Sequence, residues 1–257
     1  MKVCIISGGT LNYINYMIKL YESLRIYHTK VYFEFNIIYD KTCECKEYKK
    51  YLELIENYKQ NDKFLLLKIH EKIFKNDNEK RSYSSNIRIK YLLENLNKYD
   101  MMFWMDADTL IKKPLTQLFE IDNKYKIICK KESNRKIEDN LYTYNICLRR
   151  QTKTGIIGFR NDESSKYLLE NWYNIINNSG WEYVCWYEDQ ILLSYMMKKV
   201  ILKYNISIFY NLPSSYIDWE LDPNSYIWVG KGENKKDIYT AKKKKTKYCK
   251  KIENKNN

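Results

Sequence analysis

Four short apolar runs, separated by segments of helical period, constrain this chain more than any other feature. The runs are Val3 to Ser7, "VYFEFNIIYD" at 31–40, "FLLLKI" at 64–69 and "MMFWM" at 101–105. They are largely apolar and rich in β-branched or aromatic residues, as expected of strands buried on both faces. Between the first two, Ile14, Met17, Ile18, Tyr21 and Leu24 recur at helical spacing within residues 12–27. A polar helix is expected near 45–59. "SSNIRIKYLLENLNKY" at 84–99 is amphipathic, with Ser84 or Ser85 expected as its cap. Strand and helix in alternation predict an α/β chain with an open, mostly parallel sheet covered by helices on both faces.

The second half carries strand patterns at "YKIICK" (125–130) and "TGIIGF" (154–159) and helical patterns at 163–177 and 187–198. No repeat and no Pro/Gly-rich linker divides the chain, which holds 7 glycines and 3 prolines in 257 residues. One domain over residues 1–240 is therefore expected, followed by a basic, frayed tail at 241–257, "AKKKKTKYCKKIENKNN".

The formal charge of +13 favours an anionic partner: a nucleotide, an acidic glycan, a nucleic acid or an anionic membrane surface. The tail reads either as a solubilising end or as an arm in peripheral contact with such a membrane. Seven cysteines, an odd number mostly set singly in apolar contexts, predict reduced buried thiols. The pair Cys43 and Cys45 lacks partners at zinc spacing. The N-terminal apolar stretch is too short for a signal peptide, and no apolar run is long enough to cross a bilayer. A cytoplasmic chain, or one bound to a membrane face, is the expectation.

The run at 101–105 ends in "DADTLIKKP", and two carboxylates at the end of a buried strand need a reason. Ligands of open α/β sheets bind beyond the carboxyl ends of the strands. In extended chain, residues two apart point to the same side, so Asp106 and Asp108 are expected to face one point. Their repulsion becomes attraction when a hard divalent cation sits between them, and such a cation keeps coordination positions open for phosphate oxygens. The competing interpretation makes Asp106 the cap of a turn and leaves Asp108 exposed.

"FWMDADTLIKKPL" resembles the DXD segment of GT-A nucleotide-sugar glycosyltransferases. It is most similar to the glycogenin and lipooligosaccharide galactosyltransferase family and to the yeast mannan galactosyl- and mannosyltransferase family. Three further segments follow the same order over about residues 1–200. "NIRIKYLLENLNKYD" resembles the helix whose arginine reaches the donor, "KTGIIGFRNDESSKYLLENW" the "N-[AS]-G-…-R-N" strand and helix, and "YEDQILLSYM" the "[DE]-Q" helix start. The resemblance implies a Rossmann-like GT-A fold with a mixed, mostly parallel central sheet flanked by helices. It implies an enzyme that moves a hexose from a nucleotide sugar, UDP-glucose or UDP-galactose, to a glycan, glycolipid or glycoprotein acceptor with retention. Mn²⁺ or Mg²⁺ would be held by Asp106 and Asp108.

The same resemblance assigns the remaining roles. Arg88, with Lys90 as second candidate, would stabilise the leaving diphosphate, since preorganised charge is the largest catalytic contribution in such transfers. Asp189 and Gln190 would line the sugar pocket; Asp189 either orients donor hydroxyls or, in an inverting enzyme, deprotonates the acceptor. The same residues are also favourable at a helix N-terminus. "IISGGT" would receive base and ribose through Ser7 and Thr10, with Tyr13 stacking on the base and Asp40 a weaker ribose contact; Gly8 and Gly9 otherwise make a tight strand–helix turn. The glycogenin-like families carry a late "H-x-x-G-x-K" whose histidine is a third metal ligand. Here His28 and His70 come too early, and "SYIWVGKGENKKD" puts Trp228 or Val229 near that place and leaves Lys231 as the candidate diphosphate ligand. "YNLPSSYIDWELDP" (210–223) fits an acceptor groove or a packed aromatic cluster. Two rivals remain: a basic nucleic-acid-binding module, which lacks any recognition motif, and a catalytically weak enzyme of the same fold.

Overall fold

A computed structural model describes residues 1–41, 46–131, 152–180, 188–204, 208–219 and 222–230. In chain order it contains β1 (Val3–Thr10), α1 (Ile14–Arg25), β2 (Tyr32–Asp40), α2 (Lys46–Asn61), β3 (Leu65–Lys72), α3 (Asp77–Asn86), α4 (Arg88–Asn95), β4 (Met101–Met105), β5 (Thr109–Ile111) and α5 (Thr116–Phe119). The second half contributes β6 (Ile127–Lys131), β7 (Thr152–Arg160), α6 (Glu163–Ser179), α7 (Glu188–Tyr204), β8 (Phe209–Asn211), β9 (Ile217–Asp218) and β10 (Ile227–Val229).

Seven strands form one sheet in the order β3-β2-β1-β4-β7-β6-β8. The pairs β3–β2, β2–β1, β1–β4 and β6–β8 are parallel, and β7 runs antiparallel to both of its neighbours. The expected mixed, mostly parallel sheet is present. A small second sheet, β5-β10-β9, carries on from the end of β4. The chain lays β2 and β3 on one side of β1 and then crosses to place β4 on the other, so the strand order reverses between β1 and β4. A crevice opens beyond the strand ends at such a point.

Side chains alternate across this sheet. Met101, Phe103 and Met105 join Ile5, Phe33, Phe35 and the buried face of α1 (Ile14, Met17, Leu20, Leu24). Met102 and Trp104 face the other way, toward Cys4, Ile6, Leu92, Trp172 and Met196. The doubly covered sheet explains why the strand sequences show little polar alternation. Cys4 and Cys129 are free, buried thiols, as expected of reduced cysteines, and burial pushes the Cys4 thiol pKa up. Among the described residues no helix is long and apolar enough to span a membrane. Cys43, Cys45 and the 241–257 tail lie outside the described residues.

Two local expectations are corrected. The "SGGT" segment is strand, not loop: Ser7 to Thr10 pair in parallel with Phe35 to Ile38. A Cβ on Gly8 would stand 2.9 Å from the Asn36 carbonyl oxygen and 3.2 Å from the Trp104 ring, so this glycine admits close approach rather than a turn. The amphipathic helix at 84–99 is not capped by Ser84 or Ser85. The helical run begins at Asp77, where Asn76 Oδ1 accepts the Glu79 N–H at 2.9 Å. Ser84 Oγ, Ser85 Oγ and Asn86 Nδ2 each donate to the carbonyl four residues back, at 2.7, 2.9 and 2.8 Å. Three consecutive side chains competing for backbone acceptors end α3, and α4 restarts at Arg88.

Candidate active site

Met105 ends β4 with its backbone still paired to β7, and the next N–H, that of Asp106, donates to the Gly155 carbonyl at 2.8 Å. The Thr109 N–H then donates to the Asp106 carbonyl at 3.0 Å. Residues 106–109 thus form a turn with Ala107 and Asp108 at its centre. Extended chain stops at Met105, so the turn, not strand alternation, sets the relation between the two carboxylates. Asp108 is buried, and its carbonyl accepts the Gly230 N–H at 2.8 Å, which fastens the turn to the end of β10.

Asp106 Oδ1 accepts two hydrogen bonds, from Trp104 Nε1 at 2.8 Å and from Arg88 Nη1 at 2.9 Å. Arg88 is itself held by its Nε donating to the Ser85 carbonyl at 2.8 Å and by its guanidinium lying 5.2 Å above the Trp104 ring. The same Nη1 stands 3.6 Å from Oδ2 of Asp189, the second residue of α7, which is almost fully buried. Arg88 reaches the first aspartate of the turn, as the resemblance implies, and it also links the end of β4 to the start of α7, which the sequence reading did not foresee. Lys90 does not join them; it pairs with Glu94 one turn along α4 at 3.7 Å, because its position on the helix faces outward.

Gly155 lies beneath the other carboxylate oxygen: a Cβ there would stand 3.2 Å from Asp106 Oδ2 and 3.9 Å from Val229 Cγ1. The absent side chain keeps Oδ2 uncrowded. The carboxylates of Asp106 and Asp108 are hard oxygen donors of the kind that suit a divalent cation. No group of three His, Cys, Asp or Glu side chains gathers among the described residues. The two carboxylates of the turn would be the protein's acidic ligands, with diphosphate and water completing the shell. Val229 and Trp228 are buried in β10, so an apolar side chain occupies the place beside Gly155. His28 and His70 are elsewhere: His28 bonds the Leu115 N–H and His70 lies 3.0 Å from Asn36 Oδ1.

The nucleotide-side candidates are spread over the same edge. Thr10 ends β1 and Tyr13 closes the short turn Leu11–Tyr13 that leads into α1, both half-buried, with a Gly9 Cβ position only 3.0 Å from Tyr13 Cβ. Ser7 is fully buried within β1, and its Oγ has no hydrogen-bond partner among the described residues. Asp40 ends β2 and pairs with Lys80 of α3 at 2.7 Å. Gln190 follows Asp189 on α7, half-buried, its carbonyl accepting the Ser194 hydroxyl. Lys231 lies outside the described residues. Sequence reasoning missed Trp104 as the tether of Asp106; an indole two residues before the aspartate was the available signal. Arg160 and Asn161, by contrast, are structural: Arg160 donates to the Ile121 and Tyr125 carbonyls and Asn161 N–H to that of Asp100.

The carboxylate turn lies beyond the end of β4, beside the point where the strand order reverses, and a guanidinium bridges it to the start of α7. Residues 4–157, more than half of the chain, match the family described as Glycosyl transferase family 8, and the chain belongs to that family. It is similar in structure to LgtC, a galactosyltransferase solved with donor and acceptor sugar analogs, at 13% identity and TM-score 0.57 over 90% of this chain and 87% of that one. It is similar also to the bifunctional glycosyltransferase WbbM, at 14% identity and TM-score 0.57, covering 91% of this chain and 46% of that one. Mouse xyloside xylosyltransferase 1 gives 11% identity and TM-score 0.52, with 91% and 99% covered. At these identities the likeness is one of fold. No curated protein matches the chain in sequence.

Proposed function

We propose that the chain transfers a hexose from a UDP-sugar, UDP-glucose or UDP-galactose, to a glycan, glycolipid or glycoprotein hydroxyl, with retention and with Mn²⁺ or Mg²⁺ bound. The observation that carries this reading is the convergence of Asp106, Arg88 and Asp189 beyond the end of β4. Asp106 and Asp108 would hold the cation, which supplies positive charge to the leaving diphosphate. Arg88 is buried and oriented by four contacts, so its guanidinium enters the reaction without reorganisation. Removing one such preorganised contact costs about 3 kcal/mol in the barrier. Asp189, two residues inside α7, is placed to orient donor hydroxyls, and Gln190 stands beside it. Thr10 and Tyr13 offer a hydroxyl and an aromatic face to base and ribose, and Lys231 a charge to the diphosphate. The valine beside Gly155 leaves the cation with two protein carboxylates and predicts weaker binding than in relatives with a histidine there.

Thermal melting tests this. UDP should raise the melting temperature only when Mn²⁺ or Mg²⁺ is present, and Asp106→Asn should abolish that increment. A metal-dependent shift that survives in Asp106→Asn would refute the assignment. Hydrolysis of UDP-sugars by the purified chain then separates an active enzyme from a catalytically weak one.

A further inference from the structure

The limb that follows the carboxylate turn is stitched to the end of α1 by three hydrogen bonds. The Ile111 N–H donates to Ser23 Oγ at 3.0 Å, the Tyr27 hydroxyl donates to the Lys112 carbonyl at 2.5 Å, and the Leu115 N–H donates to His28 Nε2 at 2.7 Å. These contacts span residues 111–115 and begin three residues after Asp108. Ser23 is fixed in turn, since its own hydroxyl donates to the Leu20 carbonyl at 2.7 Å. The His28 ring also meets the Phe119 ring edge-on, with centroids 5.0 Å apart.

The chemistry of the third contact is one-sided. A ring nitrogen that accepts an N–H must carry a lone pair, so His28 is neutral here with its proton on Nδ1. Protonating Nε2 would set two donors against each other. The charged neighbours reinforce this. Arg25, on α1, donates to the His28 carbonyl at 2.9 Å and has its charge shared with Asp62 at the end of α2. On the limb itself, Lys112 reaches Asp218 and Ser225, and Lys113 reaches the Asn224 carbonyl. From α5 the ring meets Phe119, which does not titrate. Burial first, and then the Arg25 charge, hold the His28 pKa below that of a free imidazole.

We propose that His28 is a positioning residue for the carboxylate turn. Neutral His28 fixes the Leu115 end of the limb, whose Lys112 and Lys113 N–H groups are fastened separately to the Tyr226 carbonyl. Through β5 it steadies the setting of Asp108; its protonation loosens the Leu115 end and weakens cation-dependent binding of a nucleoside diphosphate. The last clause rests on the proposed function, whereas the lock itself does not.

Two measurements separate them. In the ligand-free protein only two histidines exist, so His70→Gln assigns the imidazole signals. The His28 signal should titrate below about pH 6.5, and exchange protection of the Leu115 amide should fall with it. A His28 that titrates at or above that value, or a Leu115 amide whose protection ignores the titration, overturns the lock. For the ligand, UDP binding with Mn²⁺ is followed from pH 7.5 to 5 in wild type and in His28→Gln, whose amide oxygen accepts the same N–H but does not titrate. Wild-type affinity should fall about tenfold relative to the variant as His28 charges. Parallel profiles overturn the proposal. Absence of UDP binding at every pH overturns the donor assignment, while the histidine titration and Leu115 exchange still decide the lock, and they do so even if His28→Gln fails to fold.

Discussion

Asp106 is restrained from three directions by residues of this chain: Trp104 Nε1 and Arg88 Nη1 on one oxygen, and the Gly155 backbone below. Trp104→Phe keeps most of the ring under Arg88 and removes one charge-assisted hydrogen bond, a loss of about 1.5–3 kcal/mol where the carboxylate is held in place. Metal-dependent UDP affinity should fall by about tenfold or more, and the free protein should melt at a lower temperature because Trp104 is among the largest buried side chains; calorimetry below that temperature checks the affinity. Gly155→Ala brings a methyl to 3.2 Å from Asp106 Oδ2 and makes the carboxylate give by a few tenths of an ångström, so it should reduce the metal-dependent melting shift while the apo protein stays folded. At this scale the aspartates, Arg88 and Asp189 were legible from the order of four motifs. Trp104 was not, because indole in a buried strand reads as core until its N–H is seen to have a partner. Ser7 was legible only as a hydroxyl near a strand end; that the strand continues past it and buries it depends on β2 being long enough to pair with it.

Elements form where local sequence and their neighbours agree. Asn76 caps α3, and Asn76→Ala should cost about 1 kcal/mol, measured by urea denaturation, because the Glu79 N–H loses its acceptor. The Ser84 and Ser85 pattern pointed to a helix start and instead marks a helix end. The same hydroxyls serve either purpose, and the choice belongs to the residues upstream that continue the helical run. In the centre of the sheet Gly158 lies across from Phe103, and an added Cβ would come within 2.7 Å of the ring Cδ1. Gly158→Ala should therefore destabilise by about 1–3 kcal/mol, as overpacked core sites do. Nothing in "TGIIGF" alone says which of its glycines faces an aromatic ring on the next strand.

For the whole molecule, α1, α2 and the sheet meet at Asp62. Burial alone raises its pKa, but hydrogen bonds from Arg25, the Phe64 N–H and the Tyr21 hydroxyl outweigh it and hold the carboxyl below the usual range. The folded value thus lies below the unfolded one. The stability this group contributes is fully present above the unfolded carboxylate pKa, near pH 4, and is lost as pH falls through the lower folded value. Asp62→Asn should flatten the acid limb of a plot of urea midpoint against pH over that window and leave a lower plateau above it.

The order of the main strands and helices, the apolar character of the central strands and the two carboxylates at the end of one of them were written in the linear sequence, since periodicity and composition are local properties; the short strands of the second sheet were not. Which strand sits beside which, that β7 enters antiparallel, that Gly155 lies beneath Asp106 and that His28 accepts the Leu115 N–H were decided by tertiary structure. Those relations join residues tens of positions apart, and only packing both faces of one sheet at once selects among them.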